Sequence, residues 1–254
     1  MDELERVELL SVLDLFAAAP ADLRDELDLA VLELDGATAF SVGADPKPLI
    51  FNRVVGLVDD APLPQLERWC AQRRCPLVVP LQPGTALEER LRTRGYRHER
   101  TYMRFRRGVQ PPPEAATSLG IEVLDERHAE EYGSVVATVF GILRFAPWFA
   151  TLCGREGWSC VGAFDGNRLV ATGASFVAGD LGWLGAAGTL PHARGRGAQT
   201  ALLVARIAAA RDAGARVLTV ETSDAVDGET DPSFRNVVRA GFEEAFRQQW
   251  WELP

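Results

Sequence analysis

Apolar residues recur along the chain at helical and at strand spacing, and the changes between the two outline its elements. In the second half, residues 120–124 read as a short apolar strand. Residues 125–140 read as a helix with Asp125 as its N-cap, followed by a second helical piece at 147–153. Residues 158–164 and 169–177 form a hairpin pattern around Asp165-Gly166-Asn167, where Asp-Gly supplies the positive φ of a tight turn. A third strand at 180–190 runs into a glycine-containing loop at 192–197. An alanine- and leucine-rich helix at 198–213 follows, with Gly214 placed to close it. Residues 216–221 form a buried strand, 233–240 a short helix ended by Gly241, and 242–253 a strand rich in aromatics.

The first half is less regular. Residues 2–18 and 21–29 read as helical, 31–42 and 49–57 as extended, 64–74 as helical, 76–80 as a short strand, 85–93 as a helix and 100–106 as a strand. Its end echoes the other half: Leu91-Arg92-Thr93-Arg94-Gly95-Tyr96 is similar to Val237-Val238-Arg239-Ala240-Gly241-Phe242, and each is followed by a strand with aromatics, which points to an ancient duplication. Between the halves lies GVQPPPEAATS, residues 108–118, whose three consecutive prolines fix an extended linker.

Composition narrows the classes of function. The 254 residues carry 47% hydrophobic and 25% charged side chains, the profile of an ordinary globular protein. With 27 basic against 36 acidic residues the net charge is −9, and both halves are mildly acidic, so neither nucleic acid nor an anionic membrane is an expected partner. Cys70, Cys75, Cys153 and Cys160 lack metal-ligand spacing and a histidine cluster, so no metal site is expected and the thiols read as reduced, buried hydrophobes. The acidic start Met1-Asp2-Glu3-Leu4-Glu5 is unlike a secretory signal, and the weakly polar stretch 169–193 is broken by Asp180 and glycines. The expectation is a cytoplasmic protein.

Chemistry concentrates in residues 185–203. A strand enters a loop whose glycines permit tight turns, and the loop feeds a helix whose first N–H groups have no partner within the helix. Such an N-terminus favours an anion, and Arg194 and Arg196 add charge suited to a diphosphate. The competing reading is a plain strand-to-helix turn with solvated arginines. Neither the spacing and lysine of a P-loop nor the G-x-G-x-x-G of a dinucleotide fold is present, so ATP and NAD fit poorly.

Arg194-Gly195-Arg196-Gly197-Ala198-Gln199 resembles the acetyl-CoA loop of the GNAT acyltransferase family, Arg/Gln-x-x-Gly-x-Gly/Ala, in its arginine and second glycine, and departs from it at Gln199. Pro191 before the loop, Ala201-Leu202-Leu203 after it, the strand ending at Glu221, and Asn236 with Gly241-Phe242 extend the resemblance over residues 120–253. It implies an α/β (α+β) fold: a mixed, mostly antiparallel sheet flanked by helices in the second half, preceded by a second, degenerate lobe of the same kind. The implied division is a degenerate N-terminal domain at 1–107, a linker at 108–118 and an acetyl-CoA-binding domain at 119–254.

The same resemblance implies acetyl-CoA as cosubstrate, held by Ala187, Gly188, Thr189, Leu190, Arg194, Gly195, Arg196, Gly197, Ala198, Gln199, Thr200 and Asn236. Its pantetheine arm would lie between two splayed strands, near 187–190 and 217–221, with a backbone N–H near Leu190 facing the developing oxyanion. The acceptor would be a primary amine of a small molecule or peptide, attacking directly. The position of the family's thiolate-protonating tyrosine holds Val237, leaving Ser233 as a catalytic candidate one turn earlier, or as a helix cap. Glu221 is the candidate base, or a surface carboxylate. Trp183, Trp250 and Trp251 wall an acceptor pocket or belong to the core. In the first half the corresponding loop is Val58-Asp59-Asp60-Ala61-Pro62, whose carboxylates would repel a pyrophosphate. The leading reading is therefore an acetyl-CoA-dependent N-acyltransferase, a monomer or homodimer. The alternative is a non-catalytic acyl-CoA-binding sensor or interaction protein.

Overall fold

The computed structural model describes residues 1–45, 49–224 and 232–253. Helix α1 (Glu3–Ala18) begins at a capping box, in which the Asp2 carboxylate accepts the Glu5 N–H at 2.8 Å and the Glu5 carboxylate accepts the Asp2 N–H at 3.3 Å. After α2 (Ala21–Glu26), strands β1 (Leu29–Leu34) and β2 (Ala37–Val42) pair as a hairpin. The single extended run expected over 31–42 is thus broken at Asp35-Gly36, whose φ values of 49° and 81° are those of a two-residue turn. Short β3 (Val54–Val55) completes a small antiparallel sheet. The half continues with α3 (Leu63–Gln72), β4 (Leu77–Leu81), α4 (Ala86–Thr93) and β5 (Arg97–Arg107).

The second half contributes β6 (Gly120–Val123), α5 (Ala129–Phe140), α6 (Ala146–Ala150), β7 (Trp158–Asp165), β8 (Arg168–Ala178), β9 (Leu181–Thr189), α7 (Ala198–Asp212), β10 (Val217–Ser223), α8 (Pro232–Arg239) and β11 (Glu243–Leu253). The main sheet has eight strands in the order β4-β11-β5-β10-β9-β8-β7-β6, and every neighbouring pair is antiparallel except β9 and β10. This is the mixed, mostly antiparallel sheet expected from the sequence.

Along the order of its strands the chain changes halves three times. β5 of the first half lies between β10 and β11 of the second, and β11 lies between β4 and β5 of the first. The two helix-Gly-aromatic-strand units that resemble each other in sequence therefore deliver two adjacent strands, second and third in the sheet, which pair antiparallel along most of their length. Packing joins the halves as well. Phe16 of α1 meets Trp148 of α6 edge-on with ring centroids 5.0 Å apart, and the Trp148 indole N–H donates to the Leu15 carbonyl at 2.7 Å. On the opposite face of the sheet, α7 and α8 cover Met103, Phe105, Leu184, Leu218 and Val220, again drawn from both halves. Trp250 and Trp251 are buried, Trp250 against Tyr102 and Trp251 under α3 and α4.

All four cysteines are free and buried. Among the described residues no helix is long and apolar enough to cross a membrane, and no group of three or more His, Cys, Asp or Glu side chains is arranged to hold a metal ion.

Candidate active site

β9 and β10 run side by side only from Leu181 and Val217 to Leu184 and Val220. Beyond that point β9 stays bonded to β8 on its far edge while β10 stays bonded to β5, so the two strands part and open a wedge. At the start of the wedge β9 carries a bulge: Ala186 and Ala187 stand opposite Gly173 alone, with Ala186 at φ 49°. Gly188 lets α5 approach, because a Cβ there would collide with Val139. The Leu190 N–H donates to the Val170 carbonyl at 2.9 Å, so it is committed to β8 and does not face the wedge as an oxyanion donor would. Strand alternation turns the neighbouring Thr189 amide to the open edge instead.

The wedge ends at the predicted loop. Gly195 and Gly197 have φ of 78° and 81°, and Gly197 precedes α7 without any side-chain cap, which leaves the first amides of the helix, at Ala198, Gln199 and Thr200, without an intrahelical partner. Gly197 also lies against the linker, where a Cβ would strike the Ala116 carbonyl, and Thr117 donates to the Arg196 carbonyl at 2.8 Å. The two loop arginines differ. Arg196 grips Asp165 of the β7–β8 turn with contacts of 2.6 and 3.1 Å, and this hydrogen bonding holds the Asp165 carboxyl below the usual carboxylate range. Arg194 makes no ion pair among the described residues, and its Nε donates to the Thr189 carbonyl at 3.3 Å.

Three further predicted residues come together beside the first turn of α7. Asn236 Nδ2 donates to Gln199 Oε1 at 2.8 Å, and Gln199 Nε2 donates to Ser233 Oγ at 3.0 Å. Gln199, where the loop departs from the Gly or Ala of the resembled pattern, thus bridges α7 to α8. Ser233 lies inside the first turn of α8 rather than preceding it. Val237 lies on the buried face of α8, at the position where the resemblance would have a tyrosine. Of the tyrosines present, Tyr132 is fully buried and Tyr96 donates to Glu67 at 3.2 Å.

Glu221 stands apart from this loop, at the point where β10 leaves β9. It is not a surface carboxylate: its side chain is 14% exposed, and Arg104 Nη2 of β5 lies 3.0 Å from its Oε2. Arg104 also binds Glu8 of α1, and Glu8 lies 2.8 Å from Arg53. Gln248 of β11 accepts from both Arg104 and the Trp250 indole at 3.3 Å. Burial raises the Glu221 carboxyl, and with Glu8 outweighs the opposing pull of Arg104 and Arg53, leaving it above the usual range. Burial also acts to raise Glu8, but the two arginines prevail and hold it below that range. Glu8, Arg53, Arg104 and Gln248 were not anticipated. The available signal was Glu8 on the core-facing stripe of α1 and Arg104 between the buried Met103 and Phe105.

The loop before α3 in the first half contrasts with this site. Asp59 accepts the Ala61 N–H at 2.9 Å, and Asp60 is paired with Arg90. Carboxylates occupy the approach to α3.

No family model and no curated protein matches the chain. Solved structures do. It is similar to a GCN5-related N-acetyltransferase from Kribbella flavida (16% identity, all of this chain and 96% of that one, TM-score 0.64) and to one from Sphaerobacter thermophilus (19%, 85% and 76%, TM-score 0.56). It is also similar to a tandem GNAT protein from the clavulanic acid biosynthesis pathway (13%, 88% and 77%, TM-score 0.58). The likeness is one of fold, and it spans both halves: the chain has the fold of the GCN5-related N-acetyltransferases.

Proposed function

We propose that the chain is an acetyl-CoA-dependent N-acyltransferase that moves an acetyl group to a primary amine of a small molecule or peptide. The observation that carries this reading is the wedge between β9 and β10 opening onto the uncapped start of α7, because together they offer strand edges to an amide-bearing arm and unpaired N–H groups to a diphosphate. Acetyl-CoA supplies the activated thioester, so no protein nucleophile is required.

The residues take separate parts. The open edge of β9 from Ala187 to Thr189 holds the pantetheine amides. Arg194 and the amides of Ala198, Gln199 and Thr200 hold the pyrophosphate, while Arg196 braces the loop through Asp165. Asn236 and Ser233 fix Gln199 at the mouth of the wedge. Glu221 accepts the ammonium proton of the acceptor, directly or through water, and its raised carboxyl is a better base at neutral pH than an ordinary glutamate. The division into a degenerate lobe at 1–107, a linker and a cosubstrate-binding domain at 119–254 belongs to the same reading, with β5 and β11 exchanged between the two lobes.

Calorimetric titration with CoA, together with release of free CoA thiol from acetyl-CoA across a panel of primary amines, tests the proposal. Saturable binding with amine-dependent release is the expected result. Binding without turnover on any amine would favour an acyl-CoA sensor, and no binding would remove both readings.

A further inference from the structure

Helix α3 ends in a Schellman motif: the Cys75 N–H reaches the Cys70 carbonyl at 3.1 Å, the Arg74 N–H reaches the Ala71 carbonyl at 3.2 Å, and Arg74 between them has φ 55°. In this motif the side chains of the first and last residues meet. Here both are cysteines, in contact within one buried cluster, and the Cys75 thiol donates to the Cys70 carbonyl at 3.7 Å. The Cys75 sulfur also receives the Ser41 hydroxyl at 3.2 Å, and Ser41 in turn receives Arg73 Nε at 3.0 Å. Arg73 is partly exposed, so this polar chain runs from the buried sulfur towards solvent. None of these residues belongs to the wedge.

From this geometry we propose that Cys70 and Cys75 form a thiol-oxidation site, converted to an intramolecular disulfide by a hydroperoxide. Cys75 attacks one peroxide oxygen, so that an S–O bond forms, the O–O bond breaks and the departing oxygen leaves as water or an alcohol after taking a proton. The Cys70 sulfur then attacks the Cys75 sulfur: the S–S bond forms, the S–O bond breaks, and hydroxide leaves with the Cys70 proton as water. Two thiols supply the two electrons that reduce one peroxide.

The surroundings assign the two sulfurs different roles. Contact with Cys70, reinforced by Ser41 and Arg73 against the effect of burial, draws the Cys75 thiol down to about 6, so that it is largely thiolate at neutral pH. The same contact and burial push Cys70 up, keeping it protonated until Cys75 has reacted. The second cysteine pair is an internal control. Cys153 and Cys160 are buried as well, but contact with Cys153 and burial push the Cys160 thiol well above the ordinary value, and no arginine is among the causes of its shift.

The test uses the full chain treated with hydrogen peroxide, blocked with iodoacetamide and digested with trypsin without reductant. Cleavage after Arg68, Arg73 and Arg74 places Cys70 and Cys75 on different peptides, so a disulfide appears as a linked pair two mass units lighter than its parts. The expected result is that linked pair, formed roughly tenfold faster than any oxidation at Cys153 or Cys160, with a rate that falls as pH is lowered through about 6. In Cys70→Ser, Cys75 should instead be trapped by dimedone as a sulfenic acid. Cys70 and Cys75 both recovered alkylated, or all four cysteines oxidising at one rate, would overturn the proposal.

Discussion

Arg104 of β5 and Glu221 of β10 are register partners on adjacent antiparallel strands, joined by a 3.0 Å ion pair between the two halves of the chain. Arg104 is completely buried, and Glu8 and Glu221 together outweigh the effect of burial to keep it charged. Buried pairs of this kind add little net stability when intact, but leave an uncompensated charge when one member is removed. Glu8 is bonded to both Arg104 and Arg53, so Glu8→Gln should destabilise the fold by about 3–5 kcal/mol, read from urea unfolding at neutral pH. A loss no larger than that of an exposed glutamate would remove Glu8 from the joint.

The two carboxylates of the joint should show opposite pH dependence. The Glu8 carboxyl lies below its ordinary value of 4.5 in the fold, so its contribution is present above that value and is lost as pH falls through the folded value. Glu221 lies above 4.5, so its contribution is present below that value and is lost as pH rises through the folded value. Measured from acid to neutral pH, wild type should gain stability relative to Glu8→Gln and lose it relative to Glu221→Gln. Parallel curves for the two variants would refute the assignment.

For catalysis, Glu221→Gln should lower amine-dependent thiol release by roughly 10²–10⁴-fold at neutral pH, and by much less at high pH where the free amine is abundant. CoA affinity should be unchanged, since Glu221 lies away from the α7 loop. An equal loss at every pH would leave Glu221 with only its place in the joint.

Much of this arrangement was legible in the sequence because it depends on neighbours in the chain. The strand-loop-helix at 185–203 and the Asp165-Gly166 hairpin turn carry their glycines locally. The β1–β2 hairpin had the same kind of signal, Asp35-Gly36, inside a run read as one extended segment. What the sequence did not disclose is pairing at long range. The strand patterns at 100–106 and 242–253 name no partner, and nothing in them says that each strand inserts into the other half's sheet. The surroundings of Glu221 were hidden for that reason, since Arg104 and Glu8 reach it only through the exchange. The commitment of the Leu190 N–H to Val170 likewise follows from the β8–β9 register and the bulge at Ala186, not from the loop motif.

The two loop arginines should separate experimentally. Arg194→Ala should weaken CoA binding by about 1–3 kcal/mol, as loss of a charge-assisted bond to phosphate would. The effect of Arg196→Ala should instead be reproduced by Asp165→Ala, because Arg196 acts by tying the loop to the β7–β8 turn. Calorimetry on the three variants checks this. If Arg196→Ala weakens binding while Asp165→Ala does not, Arg196 contacts the phosphate itself.

Strand exchange also decides how the chain can be cut. A fragment of residues 118–254 would lose β5, exposing the edge of β10 and leaving β11 without either of its neighbours. It should be unfolded or aggregated by circular dichroism and size-exclusion chromatography, whereas cleavage within the linker of the intact protein should leave the halves associated. A soluble, folded fragment would mean that β11 finds another place in the sheet.

The asymmetry between the halves should appear as stoichiometry. An anion-binding turn needs positive-φ glycines, unpaired helix amides and a cation free to approach. The second half brings these together at Gly195, Gly197, the uncapped start of α7 and Arg194. At the start of α3 the first half has Asp59 and Asp60, and hydrogen bonding to Arg90 keeps Asp60 ionised to lower pH than an ordinary aspartate. Two carboxylates at that approach repel a pyrophosphate, and the arginine beside them is already paired. Calorimetry should therefore give one CoA per chain, and Gly195→Asp should abolish that binding while Asp59→Ala leaves it unchanged. Two equivalent sites per chain, or binding that survives Gly195→Asp, would place the cosubstrate elsewhere than the β9–α7 loop.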